Sequence, residues 1–156
     1  MLVATILWAC SEVVKIRNPA RAAPARTLYT AALALAIVHV LVAFALVYAW
    51  SHDAAIDATA RQTAEVVGIR WGGGIFVNYL FLALWAADAW HWWVSPGPHE
   101  QRSTRLEDLR LLFFLFMFIN GAIIFAGPVA RIVAIPAAAA VMTAWLLSAR
   151  KRHARA

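Results

Sequence analysis

Asp88 and His91 stand three residues apart, so a helix would carry a carboxylate and an imidazole on one face. Such a pair could hold a metal or move protons. It could equally be an ion pair near a helix end, with its polar groups reaching for the interface. Glu12 reaches similar depth from an earlier segment, Asn78 shares the apolar stretch of Asp88 and His91, and His39 and Asn120 interrupt two others. Ionisable groups inside a membrane are costly and usually face protein or water. His39, Asn78, Asp88, His91 and Asn120 therefore make up a candidate intramembrane polar site. His39 and Asn120 fall at matched depth in their segments, where one hydrogen bond would satisfy both.

A second candidate group, His52, Asp53, Asp57 and Arg61, lies between the apolar runs. Its histidine-to-aspartate steps of one and five lack the i,i+4 spacing of a convincing metal site, and capping with surface pairing explains it more simply. The metal assignment stays unknown, and no catalytic residue is assigned. Haem b needs two histidines at matched depth on facing helices. One chain supplies no such pair, although two copies of His39 in a homodimer would. Trp71-Gly72-Gly73-Gly74 has neither the spacing nor the lysine of a phosphate-binding loop. It reads as a bend, with a broken-helix ligand site as the lesser alternative.

The elements that position these groups follow from the apolar pattern. Of 156 residues, 63% are hydrophobic and 14% charged, against about 45–50% and 25% in an ordinary soluble domain. Mean hydropathy is +0.70. A membrane span needs roughly 17–25 residues as a helix. The expectation is a single all-α integral membrane domain over residues 1–156. Its helices fall near 1–16 (short), 28–50, 75–94, 109–126 and 132–147, making five crossings. Pro136 falls in or near the first turns of the last. Barrel strands would alternate polar and apolar residues, and these segments do not.

A surface helix is expected over about 53–67, because Asp53, Asp57, Arg61 and Glu65 recur every four residues. Ser51 can cap its start and Gly68 can end it. Trp50 and Trp71 bracket it at one interface; Trp90, Trp92, Trp93 and Trp145 mark the other, so six of the eight tryptophans fit aromatic belts. Ala32, Ala36, Ala83, Ala87, Gly121 and the Ala137–Ala140 run allow close helix contacts.

The net charge of +6 is not that of a nucleic-acid binder, because the basic residues lie between apolar runs. With five crossings, 11 of 14 fall on one side: Lys15, Arg17, Arg21 and Arg26; Arg102, Arg105 and Arg110; Arg150, Lys151, Arg152 and Arg155. Arg61, Arg70 and Arg131 fall on the other. The positive-inside rule then places the C-terminus in the cytoplasm and the N-terminus outside. The first segment does not read as a secretory signal, whose charges precede its apolar run. Trp8 also departs from a lipoprotein cleavage pattern at Leu7-Trp8-Ala9-Cys10. The single cysteine excludes an internal disulfide.

Several short strings resemble an uncharacterised group of small polytopic bacterial membrane proteins. They are His39-Val40-Leu41-Val42-Ala43-Phe44, Trp50-Ser51-His52, Thr59-Ala60-Arg61-Gln62-Thr63, Trp71-Gly72-Gly73-Gly74, Asn78-Tyr79 and Trp85-Ala86-Ala87-Asp88. The resemblance covers about residues 28–94. It implies a bacterial helical membrane protein and brings no activity, cofactor or catalytic residue with it; the expected location is the bacterial cytoplasmic (inner) membrane. The expected role is a non-enzymatic structural, accessory or assembly subunit. Its partners would be the lipid bilayer and other membrane subunits or further copies of the chain, with no nucleic acid and no cofactor. A small-solute, ion or proton pathway through a homo-oligomer is the alternative, and a haem or quinone redox subunit the third.

Overall fold

The computed structural model describes residues 1–97 and 101–153, and its described residues form helices and turns without strands. Among the described residues the α-helices follow in order: α1 (Leu2–Arg17), α2 (Ala22–Leu46), α3 (His52–Val67), α4 (Gly74–Val94), α5 (Thr104–Ile119) and α6 (Pro128–His153). Arg155, one of the basic residues of the tail, lies outside the described residues.

Local chemistry explains most boundaries. Asn18 precedes a proline, is pushed out of the helical region (φ −142°, ψ 84°), and so ends α1. α2 stops at Leu46 rather than running to Trp50, because Ala49 (φ 46°) and Trp50 (φ 59°) both take left-handed backbone. The helix expected over about 53–67 is present as α3. The Ser51 hydroxyl accepts from the Ala54 N–H at 3.2 Å, and Gly68 closes the helix at φ 76°. Gly72 then passes close beneath α3: a Cβ there would lie 2.6 Å from Ile56 Cγ2 and 2.8 Å from the Ile56 carbonyl oxygen.

The two final helices differ from expectation at their shared junction. α5 does not run on regularly to residue 126 but gives way to a π turn over Asn120–Ile124. The Asn120 side-chain amide donates to the Phe116 carbonyl at 2.8 Å, and beyond it the ladder widens, with the Phe125 N–H bonding the Asn120 carbonyl at 2.9 Å. Arg131 then reaches back to the carbonyls of Ile123 (2.7 Å) and Ile124 (3.3 Å), which this helix end leaves without backbone donors. α6 begins at Pro128, whose fixed φ suits a first helical position, and not at Ile132. Pro136 therefore lies more than two turns inside the helix, not in its first turns, and removes one ladder hydrogen bond there.

α1 packs against α2 and α6; α2 also packs on α4, and α5 touches α4 and α6. The buried stripe of α1 is Ala4, Thr5, Trp8, Ala9, Ser11 and Glu12, and that of α2 is Ala25, Tyr29, Ala32, Leu33 and Ala36. Both recur at three- and four-residue steps, so one face of each helix is covered. Small residues bring the two backbones close enough for the Ser11 hydroxyl to donate to the Ala25 carbonyl at 2.7 Å. The opposite face of α2 leaves Leu35, Val38, Leu41, Val42 and Leu46 exposed, and α4 likewise exposes Phe76, Leu80 and Leu84.

Side-chain contacts bring the C-terminal ends of α1, α4 and α6 together with the N-terminal ends of α2 and α5. Arg26 donates to the Trp92 carbonyl, Arg110 to Glu12, and Arg152 to Asp108. Three basic segments thus share one end of the bundle. The tryptophans divide differently from the expected belts. Trp50, Trp71, Trp90 and Trp93 are exposed, but Trp92 is buried and belongs to the core beside Trp8 and Trp85.

Among the described residues two helical stretches are long and apolar enough to cross a membrane: Pro19–Leu46 (28 residues, mean hydropathy 2.3) and Pro128–Arg152 (25 residues, mean hydropathy 2.0). That is fewer than the five expected from the apolar pattern. α1 and α5 have only 16 residues each, below the usual span, and α4 carries Asn78, Asp88 and His91 among its apolar residues.

Candidate functional site

The shared end of the bundle holds a network of charges drawn from α1, α2, α4, α5 and the segment before α5. Glu12, with 1% of its surface exposed, accepts two hydrogen bonds from the Arg110 guanidinium, at 2.8 and 2.7 Å. This fork-to-fork geometry satisfies both oxygens of a carboxylate that water does not reach. Arg110 also lies 3.4 Å from Glu107 and 3.9 Å from Asp88. Asp88 accepts from the Tyr29 hydroxyl at 2.8 Å and pairs with Arg102. Arg102 in turn lies 3.2 Å from His91 Nδ1 and 3.6 Å from Glu107 Oε1. Lys15 pairs with Glu107 from the next turn of α1.

Glu107 precedes the apolar run that begins at Leu109. Burial favours its neutral form, but the Arg110 guanidinium and the Lys15 ammonium outweigh burial and hold its carboxyl below the usual range. A second, smaller group sits alongside, where Asp108 accepts from the Trp145 indole at 2.7 Å and lies 3.5 Å from Arg152. In these contacts four acids (Glu12, Asp88, Glu107, Asp108) meet four bases (Lys15, Arg102, Arg110, Arg152), so the two counts cancel. A cleft of about 220 Å³ opens beside them, lined in part by Glu12, Lys15, Arg102, Glu107, Arg110 and Trp145.

Rings close the network off from the rest of the bundle. Trp8 stacks on Phe118 with centroids 4.2 Å apart, and Tyr29 stacks on Phe114 at 6.1 Å. Trp85 meets Phe114 and Phe118 edge-on at 5.6 and 5.5 Å. Arg110 lies over the faces of Tyr29 and Phe114, 5.7 and 5.5 Å from their centroids. The indole N–H groups of Trp8 and Trp85 are buried with no hydrogen-bond partner among the described residues, so packing holds these rings.

Of the five residues expected to form the intramembrane polar site, Asp88 and His91 meet in this network and the other three do not. His39 and Asn78 lie on exposed faces of α2 and α4. Asn120 bonds its own helix backbone at Phe116, so the expected His39–Asn120 pairing gives way to a local contact. Asp88 finds Arg102 and Tyr29 as partners on other elements. Tyr29, Lys15, Arg102, Glu107 and Arg110 were missing from the expected site. Arg110 carried the clearest signal: a lone cation opening an apolar run, opposite Glu12 closing another.

The external group separates into two. His52 Nδ1 lies 3.2 Å from the Tyr79 hydroxyl, and its ring stacks on Tyr79 with centroids 5.6 Å apart. Asp57 pairs with Arg61 one turn along α3 and with Arg70 beyond it, while Asp53 stands exposed. Among the described residues no three histidine, cysteine, aspartate or glutamate side chains converge as metal ligands. The chain matches no protein-family model, no curated protein and no solved structure.

Proposed function

We propose that the chain is a structural, accessory or assembly subunit of the bacterial cytoplasmic membrane. In this reading it crosses five times, with its N-terminus outside and its C-terminus in the cytoplasm. The carrying observation is that the interior charges neutralise one another across four helices. A carboxylate held by a two-pronged guanidinium is a poor general base, because its lone pairs are already occupied. It is a good staple between α1 and α5, and Asp88, near Arg110 and bonded to the Tyr29 hydroxyl, ties α4 and α2 to the same end.

The gathering of three basic segments at that end favours the five-crossing arrangement, since each then meets the same membrane face. α1 spans only about 24 Å at 1.5 Å per residue, which a tilted or locally thinned bilayer accommodates. The exposed apolar faces of α2 and α4 suit lipid or neighbouring subunits. A second reading, a solute, ion or proton pathway through a homo-oligomer, has the exposure of His39 and Asn78 in its favour. Exposed polar groups on apolar helices would meet across copies of the chain.

Purification in mild detergent, followed by native mass measurement and an optical spectrum, separates these readings. The expected result is a stable complex with a different membrane protein and no visible absorption band. A colourless homo-oligomer that carries ion or solute flux in vesicles would replace the accessory reading with the pathway. A Soret band would replace both with a haem protein built on His39.

A further inference from the structure

Beside the charge network, the ends of α1 and α6 leave a second groove of about 290 Å³, lined by Ile16, Arg17, Ala144, Leu147, Ser148 and Lys151. Its composition is divided: Ile16, Ala144 and Leu147 are apolar, whereas Arg17 and Lys151 are exposed cations. These cations differ from those of the network. Arg102, Arg110, Lys15 and Arg152 all have carboxylate partners, but neither Arg17 nor Lys151 has an acidic partner among the described residues. Ser148 accepts from Arg152 at 3.1 Å, which leaves its own hydroxyl proton free to donate. Arg152 is itself drawn toward Asp108, so the positive charge facing the groove is that of Arg17 and Lys151.

We propose that this groove binds the headgroup of an anionic phospholipid. Arg17 and Lys151 would flank the phosphate, the Ser148 hydroxyl would donate to one of its oxygens, and an acyl chain would lie along Ile16, Ala144 and Leu147. Charge complementarity selects this occupant: two unpartnered cations above an apolar floor match an anionic head above a hydrocarbon tail. Basic pockets between helices at the cytoplasmic face are the usual form of such sites. The inference rests on the membrane reading proposed above, which puts the ends of α1 and α6 at the headgroup level.

The test is native mass measurement of the purified full chain with added dioleoyl phosphatidylglycerol or dioleoyl phosphatidylcholine, with and without inorganic phosphate. The wild-type protein is expected to retain phosphatidylglycerol over phosphatidylcholine. Arg17→Gln with Lys151→Gln should lower that retention by roughly tenfold or more, while Arg17→Lys with Lys151→Arg should keep it. Millimolar phosphate should not displace the lipid, because phosphate lacks the acyl chain; displacement would identify a free-anion site instead. Equal retention of the two lipids, or unchanged retention in the double glutamine variant, would overturn the proposal. Carbonate extraction of membranes keeps the two readings apart. Both proteins should remain with the membrane, and release of the wild-type chain would overturn the membrane reading itself.

Discussion

Replacing Arg110 with methionine is expected to destabilise the protein by about 3–5 kcal/mol, the cost of stranding one partner of a buried ion pair. The stranded group is Glu12, which is 1% exposed and takes both of its hydrogen bonds from Arg110. Glu12→Gln should cost less, because Arg110 keeps Glu107 at 3.4 Å and Asp88 at 3.9 Å. The Glu12→Gln/Arg110→Met double variant should recover part of the loss, since no unpaired charge remains between α1 and α5. Arg110→Lys keeps the charge but cannot form the two-pronged contact, so it should fall between the wild type and Arg110→Met. Reversible unfolding in a mixed-micelle denaturant series would give these values. An Arg110→Met protein as stable as the wild type would mean that the pair does not hold the bundle end.

The second large effect is expected at Trp85, which is fully buried among Tyr29, Phe81, Phe114 and Phe118. Trp85→Ala should cost about 3–5 kcal/mol, through lost contact and the cavity left behind. Trp85→Phe should cost much less. The indole N–H has no partner among the described residues, so removing it strands no acceptor. The same unfolding series applies. A Trp85→Phe loss as large as that of Trp85→Ala would contradict the claim that an aromatic ring at this position is enough to hold the packing.

The helices were legible where apolar runs and punctuation agree: Ser51 and Gly68 mark boundaries through backbone chemistry that acts within a few residues. The surface helix α3 was legible for the same reason. The π turn was not, because Asn120 looks like any polar residue in an apolar run until its amide competes for the Phe116 carbonyl. The site was half legible. Asp88, His91 and Glu12 stood out as ionisable groups in apolar surroundings, but their partners depended on which helices meet. Lys15, Arg102 and Arg110 read as interface charges on sequence, and only the meeting of α1, α4 and α5 turns them inward toward acids. Trp92 illustrates the same limit: Trp90 and Trp93 remain exposed while Trp92 is buried, a distinction set by helix rotation and invisible in a run of aromatic residues.

The proposed placement of three basic segments and the charge network at one membrane face is tested most directly by cysteine accessibility. In a Cys10→Ser background, single substitutions Arg21→Cys, Asp53→Cys and Arg105→Cys occupy exposed positions on the α1–α2 turn, on α3 and near the start of α5. A membrane-impermeant maleimide applied to intact spheroplasts should label Asp53→Cys alone, and should label Arg21→Cys and Arg105→Cys once the membrane is opened. Labelling of Arg21→Cys and Arg105→Cys from opposite sides, or of Asp53→Cys from the same side as either, would contradict the five-crossing bundle.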